Sequence, residues 1–402
     1  MSGSSSSGLL LLLQCQHLLI VHLRLEVPRS FPRSEREPNP MLREMKVFCR
    51  LVLVAACALG LGLCEAMAAC VVEEQSANEQ EAGLILHLSP TCTESERDAH
   101  IVRGETIITA LGSGKTVDLV GVIVRGDILF DRLTPQPLPQ SSLGGQLPSQ
   151  SAPVRSQEQR LVHAGLKIRD SIVQGAVRHR AVGSIVRFEG PVDFQGARFK
   201  EGVDLSWSIF QGGVELSGAV FEKEAHFVQG QFVGPLICRE TTFGPSARFH
   251  RSAFRSSVDC TGALFDGMAE FLEVTAEQSM EFERSRFGLG TGFSGSRFKS
   301  HISFRDAIFS RETFFTFTVF EGETIFAGAQ FLGAADFTNA EFRQHDDLAR
   351  ARFDHPPLLA QTKRLEPAKS DGFLQTKNGQ YVLTFGLLVT AALLVVYAIK
   401  LK

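Results

Sequence analysis

The sequence predicts an all-β solenoid from about Phe188 to Phe353, in which short coils stack around a core of phenylalanine. Two observations carry this prediction. The chain has 32 Phe but only two Tyr and one Trp, and one dominant bulky residue indicates one environment that is repeated many times. In addition, apolar residues recur at alternating steps of five and six from Phe194 to Phe353.

The alternation covers thirty consecutive positions, of which 24 are Phe. The residue two positions before each of them is small or β-branched, for example Val192, Ala197 and Val203. Side chains at i−2 and i point the same way in an extended segment, so we expect both to face inward. A helical coil of period eleven would instead place apolar residues at i, i+4 and i+7.

Sorting these positions by a period of 22 residues predicts four inward ladders. One ladder is entirely Phe, and another narrows at Leu216, Cys238 and Cys260. A further ladder lacks the ring at Ala276, where the larger Val274 fills part of the volume. We assign the structural core ladder to Phe194, Phe199, Phe221, Phe243, Phe265, Phe287, Phe309, Phe331 and Phe353.

The stretch 333–342, GAADFTNAEF, resembles the repeat units of the pentapeptide-repeat family. The same spacing extends back to residues 117–131, from Leu119 to Val124 and Phe130. The resemblance implies a right-handed solenoid of four-sided coils with the central Leu or Phe inward. The family's period of five is here 5+6, so we expect about 22 residues per coil and an extra corner residue on alternate sides.

The N-terminal part predicts a membrane-anchored, exported bacterial member of this family. Residues 1–44 are predicted to be disordered or to precede the true start. Residues 45–68 are typical of a signal peptide, with Lys46 and Arg50 before the apolar run 51–63 and a small-x-small cleavage site at 66–68. An uncleaved N-terminal anchor is the alternative, as is lipoprotein processing at Cys70.

The interval between the signal and the repeats divides into three parts. Residues 69–116 are predicted to form a small leader region, residues 117–131 a first solenoid coil, and residues 132–160 a disordered insertion rich in Pro, Gln and Ser. In an oxidising compartment Cys70 and Cys92 would form a disulfide, and two free thiols are the alternative. The solenoid then continues over 161–353.

The C-terminal part predicts one transmembrane helix after a linker at 354–380. Residues 381–399 carry no charge, and Lys400 and Lys402 follow them. A helix of this length spans roughly 28 Å, which matches the hydrocarbon thickness of a bilayer; a buried core helix is the alternative. We expect a single-pass protein with a periplasmic or extracellular repeat domain. Basic residues flank both ends of the helix, so charge alone leaves the orientation open.

Several polar motifs are predicted to be structural. Gly112–Thr116, GSGKT, lacks the first glycine of a phosphate loop and precedes a strand, which favours a tight turn. Cys238 and Cys260 stack in neighbouring coils, where two free core thiols are expected and a disulfide is the alternative. His226, Arg248 and His250 should face outward without a metal, and His345-Asp346-Asp347 should cap the last coil.

The composition favours a non-catalytic structural or protein-interaction module held at the lipid bilayer through 381–399. We identify no cofactor, no metal site, no small-molecule ligand and no acid–base pair or nucleophilic set, and we expect an unknown protein partner. One alternative is a tail-anchored protein facing the cytosol, and another is inhibition of a topoisomerase by DNA mimicry. Residues 189–354 hold 24 acidic and 16 basic residues, a modest excess for such mimicry, and no nucleic acid is expected. A β-solenoid carbohydrate-active enzyme is a further alternative.

Overall fold

A computed structural model describes residues 70–73, 83–138, 158–179 and 183–365. Over these residues the chain is an all-β solenoid of the right-handed type, and the predicted solenoid is confirmed. Each complete coil contributes one short strand to each of four faces, which we name A, B, C and D in chain order. Strands of successive coils pair in parallel, so that Phe199 lies beside Phe221 and Phe221 beside Phe243. The repeat is therefore 22 residues per coil.

The strands of each face follow in stacking order. Face A comprises Val72–Glu73, Leu84–Leu88, Val117–Val120, Leu166–Arg169, Val192–Asp193, Val214–Glu215, Leu236–Ile237, Val258–Asp259, Met280–Glu281, Ile302–Ser303 and Thr324–Ile325. Face B comprises Val102–Arg103, Ile123–Arg125, Ile172–Val173, Arg198–Phe199, Val220–Phe221, Thr242–Phe243, Leu264–Phe265, Arg286–Phe287, Ile308–Phe309, Gln330–Phe331 and Arg352–Phe353.

Faces C and D complete the coils. Face C comprises Ile128–Leu129, Val177–Arg178, Val203–Asp204, Ala225–His226, Ser246–Arg248, Met268–Glu270, Thr291–Gly292, Thr313–Phe314 and Ala335–Asp336. Face D comprises Gln136–Pro137, Glu158–Val162, Ser184–Phe188, Ser208–Phe210, Gln231–Phe232, Ala253–Phe254, Thr275–Ala276, Arg297–Phe298, Val319–Phe320 and Glu341–Phe342. Two short 3-10 helices, Phe130–Arg132 and Leu348–Arg350, lie within the coils.

The corners explain why steps of five and six alternate. From Gly196 to Gln361, every residue with positive φ in the described chain lies at an A–B or a C–D corner, as Gly196 and Trp207 do. A single left-handed residue turns the chain within a five-residue step. The B–C and D–A corners turn without one and use the sixth residue instead. The expected extra residue on alternate sides is thus confirmed.

The solenoid begins earlier than residue 117. Leu84–Leu88 pairs in parallel with Val117–Val120 on face A, and Val102–Arg103 pairs with Ile123–Arg125 on face B. Helix α1, Glu94–Ala99, lies between these two strands. Residues 69–116 are therefore no separate leader. The Phe pattern missed this start because the first coils are filled by Val, Leu and Ile.

A helix covers the N-terminal end of the stack. Helix α2, Gly104–Gly112, follows the first face B strand directly and buries Ile107, Ile108 and Leu111. These side chains belong to the same apolar core as Phe130. The open edge of the first coil is therefore capped by an amphipathic helix, which protects it from pairing with another chain.

Two insertions interrupt the early coils after face C. The register places His179 opposite Leu205 on face C and Val162 opposite Phe188 on face D. Residues 139–157 lie between Gln136–Pro137 and Glu158–Val162, the two antiparallel strands at the start of face D. Residues 180–182 lie between Val177–Arg178 on face C and Ser184–Phe188 on face D. Both ranges are outside the described residues. Both ends of the predicted insertion at 132–160 belong to the sheet, because Gln136–Pro137 and Glu158–Val162 pair as antiparallel strands.

The coil continues past Phe353 into the predicted linker 354–380. Leu358 bridges to Asp336 on face C, and Lys363 bridges to Glu341 on face D. The Thr362 hydroxyl donates to the Phe337 carbonyl at 2.7 Å. Thus residues 354–365 complete a terminal coil, where the backbone rather than a ring pattern maintains the register.

Stacked rings fill the late core. Along face B, Phe199, Phe221, Phe243, Phe265, Phe287, Phe309, Phe331 and Phe353 stack with centroid separations between 4.6 and 5.2 Å. Phe194 is buried on face A and contacts Phe199 edge-on at 5.2 Å. Ala276 and Val274 are both buried where ladder D lacks a ring.

Buried hydroxyls add a second set of contacts between coils. Thr241, Ser252, Ser285, Ser296 and Thr318 occupy the small inward position two residues before a rung. Each donates to a main-chain carbonyl 25 residues earlier, at 2.6 to 2.9 Å. The sequence pattern shows only that these residues are small. The structure adds that their hydroxyls are satisfied in the core, as buried polar groups must be.

One disulfide joins the antiparallel edge strand to the first coil, and another joins neighbouring coils. Cys70 and Cys92 form a disulfide, which was the alternative to two free thiols. In this bonded form Cys70 has no free sulfur for a lipoprotein thioether. Cys238 and Cys260 are also bonded, so the expectation of two free core thiols is wrong. The in-register ladder brings their Cα atoms to 4.5 Å, within the range that a disulfide needs.

None of the helices in the described ranges is long and apolar enough to cross a bilayer. The predicted signal peptide at 45–68 and the predicted transmembrane helix at 381–399 both lie outside those ranges.

Candidate interaction surface

The outer faces of the solenoid display the side chains that its core does not use. In most coils the residue before a rung faces outward, so residues 22 positions apart form an outer column along the rod. Neighbouring members of a column lie about 4.8 Å apart, the spacing of paired strands. The four columns differ in charge, and this difference distinguishes the faces.

Face A carries a column of carboxylates in the late coils: Asp193, Glu215, Asp259 and Glu281. Burial raises the pKa of Asp193, and the neighbouring Glu215 raises it further. Burial also raises the pKa of Glu281, assisted by Glu283 and Asp259, although His301 opposes this. Burial acts to raise the pKa of Asp259, but hydrogen bonds from Arg239 and Thr261 leave that pKa below its usual value. This face is therefore an acidic surface that its own cations neutralise only in part.

Face D is neutralised by ion pairs between coils. Lys299 Nζ lies 3.4 Å from Glu277 Oε1, and Arg343 contacts both Glu321 and Glu341 at 3.1 Å. Arg297 also pairs with Glu321. Such exposed pairs contribute little stability each. They leave face D with alternating charges instead of a field of one sign.

Face C changes character along the rod. Its early column is polar, with Arg178, Asp204, His226, Arg248 and Glu270 in successive coils. Arg178, Asp204, His226 and Arg248 line a shallow groove of about 640 Å³. Arg248 Nε lies 3.1 Å from Glu270 Oε2, so part of this charge is satisfied within the column.

The late part of face C is apolar. Among the described residues ten large apolar side chains are exposed, and eight of these lie between Met268 and Leu365. We define the apolar patch as Phe314, Phe317, Leu332, Leu358 and Leu359, which lie on face C, at its two corners and in the terminal coil. These exposed side chains contribute nothing to the core of the solenoid, so the patch indicates a surface that contacts another molecule.

A buried polar cluster lies at the interrupted corner of the early coils. His179 occupies an inward position on ladder C, and its Nδ1 lies 2.8 Å from Asp131 Oδ1. Its Nε2 donates to the Ser184 main-chain carbonyl at 3.1 Å, while the Ser184 hydroxyl contacts Arg160. Sequence reasoning missed this cluster because no spacing connects residues on either side of the insertions.

The cluster brings together an aspartate, a histidine and a serine, but not as a nucleophilic set. A catalytic serine needs its hydroxyl hydrogen-bonded to the imidazole. Here the imidazole Nε2 donates to the Ser184 main-chain carbonyl, and the Ser184 hydroxyl accepts a hydrogen bond from the guanidinium of Arg160. Arg160, His179 and Ser184 are all buried. The arrangement holds the C–D corner together where the repeat is interrupted.

The structure also locates the other sequence motifs. Helix α2 ends at Gly112, Gly114 turns with φ of 73°, and a strand begins at Val117, so GSGKT forms a tight turn. His226 and Arg248 are neighbours on face C. His250 Nε2 lies 3.9 Å from Glu273 Oε1. Within the described part of the chain, no three His, Cys, Asp or Glu residues are grouped to hold a metal ion.

The acidic cap motif holds the terminal coil. The Phe326 main-chain N–H donates to the buried Asp347 carboxylate, and Arg364 pairs with Asp346. His345 accepts the Thr324 N–H through its main-chain carbonyl at 3.0 Å. These contacts tie residues beyond Phe342 to the coil beneath them.

Comparison with known proteins identifies the repeat. A family model described as pentapeptide repeats (9 copies) matches residues 186–230. Residues 186–230 are therefore similar to pentapeptide repeats. The match covers two coils of the late region, and the same inward rungs continue to Phe353. No curated protein and no solved structure matches the chain. Within residues 186–230 the buried inward rungs include Phe194, Phe199 and Phe221.

Proposed function

We propose that the protein is a non-catalytic interaction module, a rigid repeat rod held at a membrane by residues 381–399. The observation that carries this proposal is the filled interior. Every inward ladder from Phe194 to Phe342 consists of buried side chains, so the chemistry available to a partner is displayed on the outer faces. Flat faces with a fixed rise per coil suit recognition of another protein.

The proposed site for a protein partner is face A. Its carboxylates lie in line, and the raised pKa values of Asp193 and Glu281 mark groups that a cationic partner would stabilise in their charged form. Ile237 and Ile325 add apolar side chains to the same column. A partner with a basic surface and apolar contacts would be complementary to this face.

Export of the rod is supported by the disulfides. Cys70–Cys92 joins the N-terminal edge strand to the first coil, Cys238–Cys260 joins two late coils, and disulfides persist in oxidising compartments. The uncharged segment 381–399 supplies the anchor in this proposal. Mimicry of DNA is less well supported, because faces B, C and D carry cations beside their carboxylates.

Two measurements test the proposal. Protease should cleave the coils in spheroplasts, where the outer barrier has been removed, or already in intact cells if the coils are on the cell surface. In a second measurement, the chain should stay in the membrane fraction after alkaline extraction. Protection of the coils in both preparations, or release by alkali, would contradict the membrane-anchored exported rod.

The partner face is tested by photo-crosslinking in cells. A photoreactive amino acid replacing Ile237 or Ile325 on face A should give a protein adduct of defined mass. The matched control replaces Lys299 on face D, which should give none. Equal adducts from both faces, or none from either, would exclude face A as the partner site.

A further inference from the structure

The apolar patch is concentrated at the end of the rod from which the C-terminal segment continues. Phe314 lies beside Asp336 on face C, and Asp336 bridges to Leu358 in the terminal coil. Phe314 is 44% exposed, Phe317 64% and Leu358 55%. Two coils separate Phe314 from Leu358, a rise of about 10 Å. The patch therefore occupies the last coils of the face opposite face A.

Phe317 is the most exposed side chain of the patch. It lies at a C–D corner with φ of 57°, in the left-handed region. The same corner position holds Trp207, Gln229, Arg251 and Glu273 in earlier coils, so the repeat itself uses this backbone conformation there. The ring contributes nothing to the core, and a large exposed apolar side chain that the core does not need indicates a role outside the fold.

The chain that follows the patch limits what can cover it. Residues 366–380 connect Leu365 to the uncharged segment 381–399. Even when fully extended, a connection of this length cannot exceed about 50 Å. A bilayer that holds residues 381–399 would therefore always lie within a short tether of the patch. Aromatic and aliphatic side chains partition into the bilayer interface.

We propose that the apolar patch docks onto the surface of the lipid bilayer and lays the last coils on the membrane through face C. This inference rests on the proposed anchor at 381–399. Face A, on the opposite side of each coil, then points away from the lipid and stays accessible. Asp336 lies between Phe314 and Leu358, where its carboxylate accepts the Thr338 N–H at 2.8 Å and remains at the level of the headgroups.

The single tryptophan of the chain provides the experiment. Trp207 occupies the same C–D corner position as Phe317, also left-handed with φ of 62°, five coils closer to the N-terminus. The native protein therefore reports on a coil distant from the patch. A Trp207→Phe, Phe317→Trp variant reports on the patch, and the corner already accommodates an indole in this protein. Both full-length chains are reconstituted into phosphatidylethanolamine–phosphatidylglycerol vesicles, with and without dibrominated phosphatidylcholine.

Brominated acyl chains quench tryptophan only at contact range. We expect the indole of the variant to be quenched at least twofold and to shift to shorter wavelength, while Trp207 of the native chain is unchanged. Adding Phe314→Ser and Leu358→Ser to the variant should abolish the quenching. Circular dichroism of each chain verifies that the solenoid is folded.

Vesicle flotation separates the two proposals. If the chain floats with the vesicles but the variant is not quenched, the anchor stands and lipid docking of the patch is overturned. Quenching of Trp207 and the variant alike would overturn docking by the last coils alone. If quenching is absent and the chain sediments as a dimer in detergent, a second copy covers the patch. If the chain does not float, the anchor fails and the docking inference fails with it.

Discussion

The early coils, residues 84–179, and the late coils, residues 192–353, share one backbone ladder but fill it differently. The early core is largely aliphatic, with Leu119, Val124 and Ile168 fully buried, and two insertions interrupt it. The late core consists mostly of stacked rings, and no insertion interrupts it. The parallel strands pair in register in both regions. Main-chain pairing thus determines the register of the coils, whereas the stacked rings determine how regularly the coils repeat.

The comparison also extends to the surface. The early coils are capped by helix α2, and their outer columns are polar. The late coils carry an acidic face A and an apolar end of face C. A core of uniform rings leaves little room for sequence change inside, so the variation among late coils lies outside.

The largest expected difference between the regions is the cost of removing a rung. Phe265→Ala removes a ring stacked between Phe243 and Phe287 at 4.9 and 4.8 Å, and should lower the free energy of unfolding by about 3–5 kcal/mol. Val173→Ala removes the equivalent face B rung of an early coil and should cost about 1.6 kcal/mol. Equilibrium denaturation measures both. The exposed control Lys299→Ala should stay within about 0.5 kcal/mol of the native protein. Equal costs for Phe265 and Val173 would show that the rings do not distinguish the regions.

The two disulfides should differ in their resistance to reduction. Cys238 and Cys260 are fully buried in the late core, while Cys70 is only partly buried at the first edge strand. A mild reductant should open Cys70–Cys92 in the folded protein and leave Cys238–Cys260 closed, as alkylation and mass spectrometry would show. Replacing Cys238 and Cys260 by Ala should cost about 3 kcal/mol, the value for a loop of this size. Reduction of the late pair first would argue against its burial in a rigid core.

Carboxylates on face A should respond oppositely to pH in the two regions. Burial acts to raise the pKa of Asp118, but hydrogen bonds from Arg169 and His87 leave it below 3.8. The stability it contributes is present above that value and is lost as pH falls through the lowered pKa. The pKa of Glu281 is raised above 4.5, so the folded state binds this proton more tightly and gains stability as pH falls through the raised pKa.

Matched variants isolate these two carboxylates. At pH 7 Asp118→Asn should destabilise the solenoid by about 1.5 kcal/mol, because it removes charge-assisted hydrogen bonds. Glu281→Gln should stabilise it slightly and flatten the gain at acidic pH. Denaturation midpoints from pH 3 to pH 8 provide the measurement. Destabilisation by Glu281→Gln would mean that His301 outweighs the burial of this side chain.

The smallest expected effect concerns the buried hydroxyls of the late coils. Thr318→Val keeps the shape of the side chain but removes the hydrogen bond to the Phe293 carbonyl at 2.9 Å, and should cost about 1 kcal/mol. Thr316→Val, two residues away, removes a half-exposed bond to the Ser294 hydroxyl and should cost less. If both changes cost the same, the inward hydroxyls add nothing specific to the stacking of coils.

The sequence alone determined the late solenoid. Residues of one ladder recur every 22 positions, and their identity as Phe makes the period visible without any contact information. The inward positions, the corner steps and the gap at Ala276 follow from that period. Local spacing was sufficient because each coil pairs only with its neighbours.

Only the tertiary structure decided the coil before residue 117, the terminal coil and the surface. The spacing reached Val124, but the strands at 84–88 and 102–103 carry no distinctive period, and the insertions break the spacing, so His179 could not be assigned inward. The bond between Cys238 and Cys260 depends on how closely the ladder brings two Cα atoms together. The apolar patch arises because Phe314 and Leu358, 44 residues apart in the chain, meet on one face through strand register, which no local pattern records.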